Sequence, residues 1–140
     1  MNFNALLVPV FVQVALTLGL LGWAGVLRVQ AVRASATKLH EIALDQPGWP
    51  EQATKVGNAY RDQLHLSILF YVLIAFVLLV APGTKGIVLL SWLFVLTRAL
   101  HALVHVTTNN VPRRFVIFVA GAAILALMWL IFAATVLFGL

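Results

Sequence analysis

Four apolar runs, each long enough to cross a bilayer, constrain this chain more than any other feature: residues 5–27, 64–81, 87–106 and 115–140. A transmembrane helix needs about 20 mostly apolar residues to cross roughly 30 Å of hydrocarbon. Backbone groups in lipid must pair internally, which leaves helices or closed barrels, and no run shows the two-residue alternation of a barrel strand. The expected fold is therefore all-α: a four-helix transmembrane bundle of antiparallel, up-down topology that occupies residues 1–140 as one domain. Its second helix is expected to begin near residue 53, after a cytoplasmic loop over about 28–52.

Composition agrees, with 63% of residues hydrophobic, 9% charged and a mean hydropathy of +1.05. Nine Lys and Arg and four Asp and Glu cannot supply the polar shell of a water-soluble domain this size. A net charge of +5 and a pI near 10.5 would suggest a nucleic-acid partner in a polar chain; here membrane topology accounts for them, and no nucleic acid is expected. Cysteine is absent, which excludes disulfides, thiolate metal sites and a cysteine nucleophile. Any thiol chemistry must use the sulfur of a substrate.

The connections place the basic residues on one side. Residues 28–63 and their flanks hold Arg28, Arg33, Lys38, Lys55 and Arg61, and the third connection adds Arg113 and Arg114, whereas the opposite side offers Lys85. The positive-inside rule makes the first side cytoplasmic, with both termini facing the other compartment. The first run is longer than a signal-peptide core and has no basic residue before it, so it is expected to stay attached. Turn chemistry marks the breaks: Asp45-Gln46-Pro47-Gly48-Trp49-Pro50, Ala81-Pro82-Gly83-Thr84-Lys85-Gly86 and Asn109-Asn110-Val111-Pro112. Gly19, Gly22 and Gly25 make a smooth stripe on the first helix, suited to close packing within the chain or against another subunit.

Ionisable side chains are costly in lipid unless paired or facing a cavity, so the polar residues of the second and third helices are informative. Asn58, Asp62 and His65 fall on one face of the second; Arg98, His101, His105 and Asn109 fall on one face of the third. Folding the pair about Gly83-Thr84 brings Asn58 level with Asn109, Asp62 with His105, and His65 with His101 or Ala102, while Arg98 lies deeper and needs an anionic or carbonyl partner. Three uses of such a cluster are distinct. Its members can satisfy one another and fix helix register, with no chemistry, in a protein that binds lipid or a partner. His65, His101 and His105 can ligate a metal or haem, although no HExxH signature accompanies them and no metal site is assigned. Asp62 is the one carboxylate placed for proton-coupled transport. Arg113 and Arg114, opening the fourth helix, are placed to snorkel or, if turned inward, to stabilise a thiolate.

The stretch Asn58-Ala59-Tyr60-Arg61-Asp62-Gln63-Leu64-His65, continuing to Tyr71, and the stretch from Arg98 through His101, His105 and Asn109 to Arg113-Arg114-Phe115 resemble the MAPEG proteins, membrane-associated proteins in eicosanoid and glutathione metabolism. The likeness is to the bacterial branch, which implies a bacterial inner membrane if the source is bacterial. It also implies a homotrimer with glutathione sites between subunits, and a glutathione- or other thiol-dependent transferase or peroxidase acting on a lipophilic small molecule from the bilayer. Family enzymes place Arg, Asn and Glu on the second helix; this sequence reads Asn58, Asp62 and His65 there, and so departs from the pattern. By resemblance Arg114, or Arg113, stands where the family's thiolate-stabilising arginine acts. Arg61, Asp62, His65, Arg98, His101 and His105, with Asn58, are then the residues expected to bind the polar ligand.

Overall fold

The structure, a computed structural model, describes residues 3–34, 48–84 and 86–140. Four helices are present: α1 (Phe3–Arg33), α2 (Glu51–Val80), α3 (Ile87–Val106) and α4 (Val111–Phe138). All four are long and apolar enough to cross a membrane. The all-α fold read from the apolar runs is what the chain adopts, and no strand occurs among the described residues. Three helices extend beyond those runs: α1 continues to Arg33, α2 starts at Glu51 and α4 at Val111. The added turns carry Arg28, Arg33, Lys55, Arg61, Arg113 and Arg114, whose long side chains suit the bilayer interface. Lys38, Asp45, Gln46, Pro47 and Lys85, used above for topology and turns, lie outside the described residues.

Local chemistry sets the helix ends. Pro50, with φ −56° and ψ 156°, holds extended backbone just before α2. Between α2 and α3, the Thr84 hydroxyl donates to the Ala81 carbonyl at 2.7 Å, and Gly86 takes the left-handed conformation (φ 81°) that a β-carbon would oppose. Before α4, Asn109 adopts φ 50° and the Asn110 side chain accepts a hydrogen bond from the Arg113 amide at 3.1 Å. Pro112 sits in the first turn, where its missing N–H costs nothing.

α1 packs on α2 and α3, α2 on α3 and α4, and α4 on α3. Near the α2–α3 turn, Leu6, Phe70, Leu73, Val77, Phe94 and Met128 form a close-packed core, with Phe70 and Phe94 stacked at 4.8 Å. Towards the other end the core thins to smaller side chains, Leu20, Ala24, Val56, Ala59 and Ala102, which let α1, α2 and α3 approach. Outward-facing Phe11, Leu18, Ile68, Leu79, Leu89 and Val116 present an apolar exterior suited to lipid. Contacts join α2 to α3 along their length: Gln52 reaches the Val106 carbonyl, Gln63 the Arg98 carbonyl, and Phe70 meets Phe94, each pair a few residues out of the expected mirror about Gly83-Thr84. A β-carbon on Gly19, Gly22 or Gly25 would meet nothing within 4 Å, so the glycine stripe faces outward and takes no part in packing within the chain.

One contact in this interior has no counterpart in the sequence reading. Gln13, fully buried in α1, donates through Nε2 to Gln63 Oε1 and to Ser67 Oγ, each at 2.9 Å, and Gln63 Nε2 donates to the Arg98 carbonyl at 3.1 Å. The chain of amides ties α1, α2 and α3 at one depth, because in hydrocarbon each amide finds its partner in a neighbouring helix. Replacing Gln13 with Leu removes two donors while nearly keeping volume. It should lower stability by about 1–2 kcal/mol, measured as denaturant-induced loss of helicity in mixed micelles; an unchanged midpoint would show that these bonds hold nothing.

Candidate functional site

Three helices bring their polar residues together at the end of the bundle where α4 begins. Asp62 comes from α2, His101 and His105 from successive turns of α3, Asn109 from the connection, and Arg114, Phe115 and Phe118 from the first turns of α4. His105 Nε2 lies 2.8 Å from Asp62 Oδ2, the pairing the hairpin depth predicted. An ionised carboxylate only accepts, so Nε2 carries the hydrogen and donates it. Arg114 Nη1 lies 3.3 Å from the same nitrogen and donates to Asn109 Oδ1 at 2.7 Å. With Nε2 already a donor, the Arg114–His105 approach is proximity, and Asn109 is what fixes the guanidinium. The left-handed turn at Asn109 aims its side chain back along α4, which explains why this short connection can orient an arginine five residues on.

A cavity of about 190 Å³ opens beside this cluster, lined by Asp62, His101, Val111, Arg114, Phe115 and Phe118. Its lining combines a carboxylate, an imidazole and a guanidinium with two phenyl rings and the Val111 side chain. Such a boundary between a few placed polar groups and an aromatic lining suits a ligand with one polar and one apolar end.

Arg98 lies deeper on α3. Its side chain is fully buried, with Cζ 5.7 Å from the Phe94 ring centroid and 5.6 Å from that of Phe118. Gly121 makes the room: a β-carbon there would lie 2.7 Å from Arg98 Nη2 and 2.8 Å from Thr97 Oγ1. No described residue hydrogen-bonds the Arg98 guanidinium, whose Nε, Nη1 and Nη2 are all buried, although the Asp62 carboxylate acts on its charge through space. The Nδ1 atoms of His101 and His105 are likewise buried without a hydrogen bond.

Of the candidate residues, Asp62, His101, His105 and Arg114 meet in one place, with Arg98 behind the Phe118 wall. Asn58, Arg61 and Arg113 are exposed on the outer faces of α2 and α4. The His65 side chain is 58% exposed, with Nδ1 3.7 Å from Asp62 Oδ1. The expected levelling of Asn58 with Asn109 gives no contact, because Asn109 turns to Arg114, and Gln52 and Lys55 instead reach the Val106 and Thr107 carbonyls. Among the described residues no three His, Asp or Glu side chains are grouped to hold a metal ion. Sequence reasoning missed Phe118 and Gly121, although Arg114, Phe118 and Gly121 have the spacing of one helical face.

Substituting Gly121 with Ala drives a β-carbon into the Arg98 fork and the Thr97 hydroxyl. The expected cost is about 1–3 kcal/mol of stability, read from thermal unfolding in nanodiscs; a variant as stable as the parent would mean that the slot is not tightly closed.

Two comparisons, with curated proteins and with solved structures, return no match to this chain. A third, with models of protein families, finds a match over residues 6–134, and the family is the MAPEG family.

Proposed function

Because this chain belongs to the MAPEG family, we propose that it is a thiol-dependent transferase or peroxidase of the membrane, with glutathione as the thiol and a lipophilic molecule as co-substrate. The observation that carries this reading is the placement of Arg114. It is anchored by Asn109, adjoins the His105–Asp62 pair, and lines a cavity whose other walls are Phe115 and Phe118. A guanidinium in that position favours the charged form of a thiol placed in the cavity and so raises the fraction of nucleophile at neutral pH. With an aryl halide, the thiolate sulfur donates its electron pair to the ring carbon, a C–S bond forms, and halide leaves. Phe115 and Phe118 offer apolar surface to such a co-substrate arriving from the bilayer.

The cavity is smaller than the roughly 300–1,000 Å³ of sites that enclose a drug-sized ligand. One chain therefore holds the sulfur of a tripeptide, and part of the remainder extends towards the exposed polar face of α2. Asn58, Arg61 and His65 stand on that face of a membrane-crossing helix, where polar side chains need polar partners. A second copy of the chain meets that need in a homotrimer with its sites between subunits. Arg61 is then available for a ligand carboxylate, Asp62 for its ammonium, and Arg113 for the interface. Charge bias places the α1–α2 and α3–α4 connections in the cytoplasm and both termini opposite, in the inner membrane for a bacterial source.

One observation favours a different reading, a register-locking scaffold without chemistry: Asp62 with His105, and Arg114 with Asn109, already satisfy one another. Turnover separates the two. Purified protein in nanodiscs, given glutathione and a chloronitrobenzene or a lipid hydroperoxide, should form conjugate or alcohol, and Arg114→Ala should cut the rate roughly 10- to 100-fold. A rate untouched by Arg114→Ala removes that arginine from the mechanism, and no turnover by the parent protein favours the scaffold.

A further inference from the structure

Arg98 is the twelfth residue of the 20-residue α3, about 17 Å along the axis from Ile87 and so close to the middle of the hydrocarbon. An arginine at that depth faces a cavity or pairs with another group in almost every known case. This one touches two ring faces, those of Phe94 and Phe118. Ring faces attract the cation but leave its five N–H donors without acceptors. Nη2 packs closely against Gly121, where a β-carbon would lie 2.7 Å away. The Phe118 ring that covers Arg98 also lines the cavity holding Asp62 and Arg114, and so does His101, whose buried Nδ1 is likewise unpartnered. The Phe118 ring is thus shared between an accessible cavity and a buried guanidinium that lacks hydrogen-bond partners.

We propose that Arg98 is the receptor for a carboxylate carried by the ligand of this cavity, with the Phe118 ring turning aside to admit it. The inference rests on the reading of that cavity as a ligand site and adds a requirement to it: the ligand is an acid, and its carboxylate lies at mid-bilayer depth. Chemistry selects the anion. The guanidinium fork matches the two oxygens of a carboxylate, and a site opened by the turn of one ring suits a flat monoanion better than a tetrahedral dianion. Burial makes the pairing strong, because water does not compete there. A carboxylate can arrive from either side: on the polar thiol through the Asp62–Arg114 mouth, or on a fatty acid from the bilayer past Phe115 and Phe118.

Binding by the full-length protein in zwitterionic nanodiscs, measured by equilibrium dialysis, tests this with two matched pairs: glutathione against its dimethyl ester, and laurate against methyl laurate. One acid should bind at least about tenfold more tightly than its ester, the scale of a charge-assisted hydrogen bond. Preference within the glutathione pair identifies the thiol as the source, and preference within the laurate pair identifies the bilayer. Arg98→Gln should abolish the preference and Arg98→Lys should reduce it, since an ammonium keeps the charge but lacks the fork. If Arg98→Gln does not fold, Gly121→Ala, which crowds Nη2, should weaken the acid and leave the ester unchanged. Equal affinity for acid and ester in both pairs, or a preference that survives Arg98→Gln, overturns the proposal. Thiol turnover without acid preference leaves the transferase reading standing and sinks this one; acid preference without turnover does the reverse.

Discussion

In hydrocarbon a hydrogen-bonding group has no solvent to return to, so each polar side chain inside this bundle must be answered by another part of the protein or by something bound to it. That constraint organises the whole structure. Apolar packing alone discriminates poorly between helix neighbours in lipid, because a lipid chain is as good a partner for Leu as another Leu is. The amides of Gln13 and Gln63, the Ser67 hydroxyl and the Arg98 carbonyl do discriminate, since they meet when α1, α2 and α3 are in register. Nearer the α4 end, Asp62 with His105 does the same for α2 and α3, and Arg114 with Asn109 holds the start of α4 to the connection before it.

These two sets differ in what they leave over. In the first, the amide donors are used and the Gln13 Oε1 acceptor is left over, with no cavity beside it among those described, and the result is a strut. The second has a cavity beside it and keeps imidazole nitrogens without partners at His101 and His105. Behind it Arg98 keeps every guanidinium nitrogen unpaired. The Gln13 network and the aromatic core around Phe70 and Phe94 join the helices, while the unpaired nitrogens of Arg98, His101 and His105 gather near a cavity. The same inequality separates the inner face of α2, where Gln63 and Ser67 are buried, from its outer face, where Asn58, Arg61 and His65 stand exposed.

Much of this was legible before any coordinates. Apolar run length fixed four helices, and the symmetry of a hairpin about Gly83-Thr84 placed Asp62 opposite His105, because helical rise converts sequence distance into depth. Periodicity could not say which flank of a polar stripe turns inward. Asn58 and His65 share a stripe with Asp62 yet point outward, because Gln63, one residue on, is the side chain that enters the bundle. Gln13 was visible as one amide in an apolar run, but its partners lie about 50 residues away and no local pattern names them. Phe118 and Gly121 read as ordinary lipid-facing residues until α3 and α4 are packed. The slot they make for Arg98 belongs to the pair of helices, not to either sequence segment.

Side chains from separate helices are energetically joined at one part-buried cluster. A double-mutant cycle on Asp62 and His105, using Asp62→Asn, His105→Phe and the double variant, measures this joining directly through reversible unfolding in mixed micelles. A coupling of about 1–2 kcal/mol is expected for a part-buried charge-assisted hydrogen bond between helices. Effects that add to within about 0.3 kcal/mol would contradict the account, because the two residues would then stabilise their helices independently.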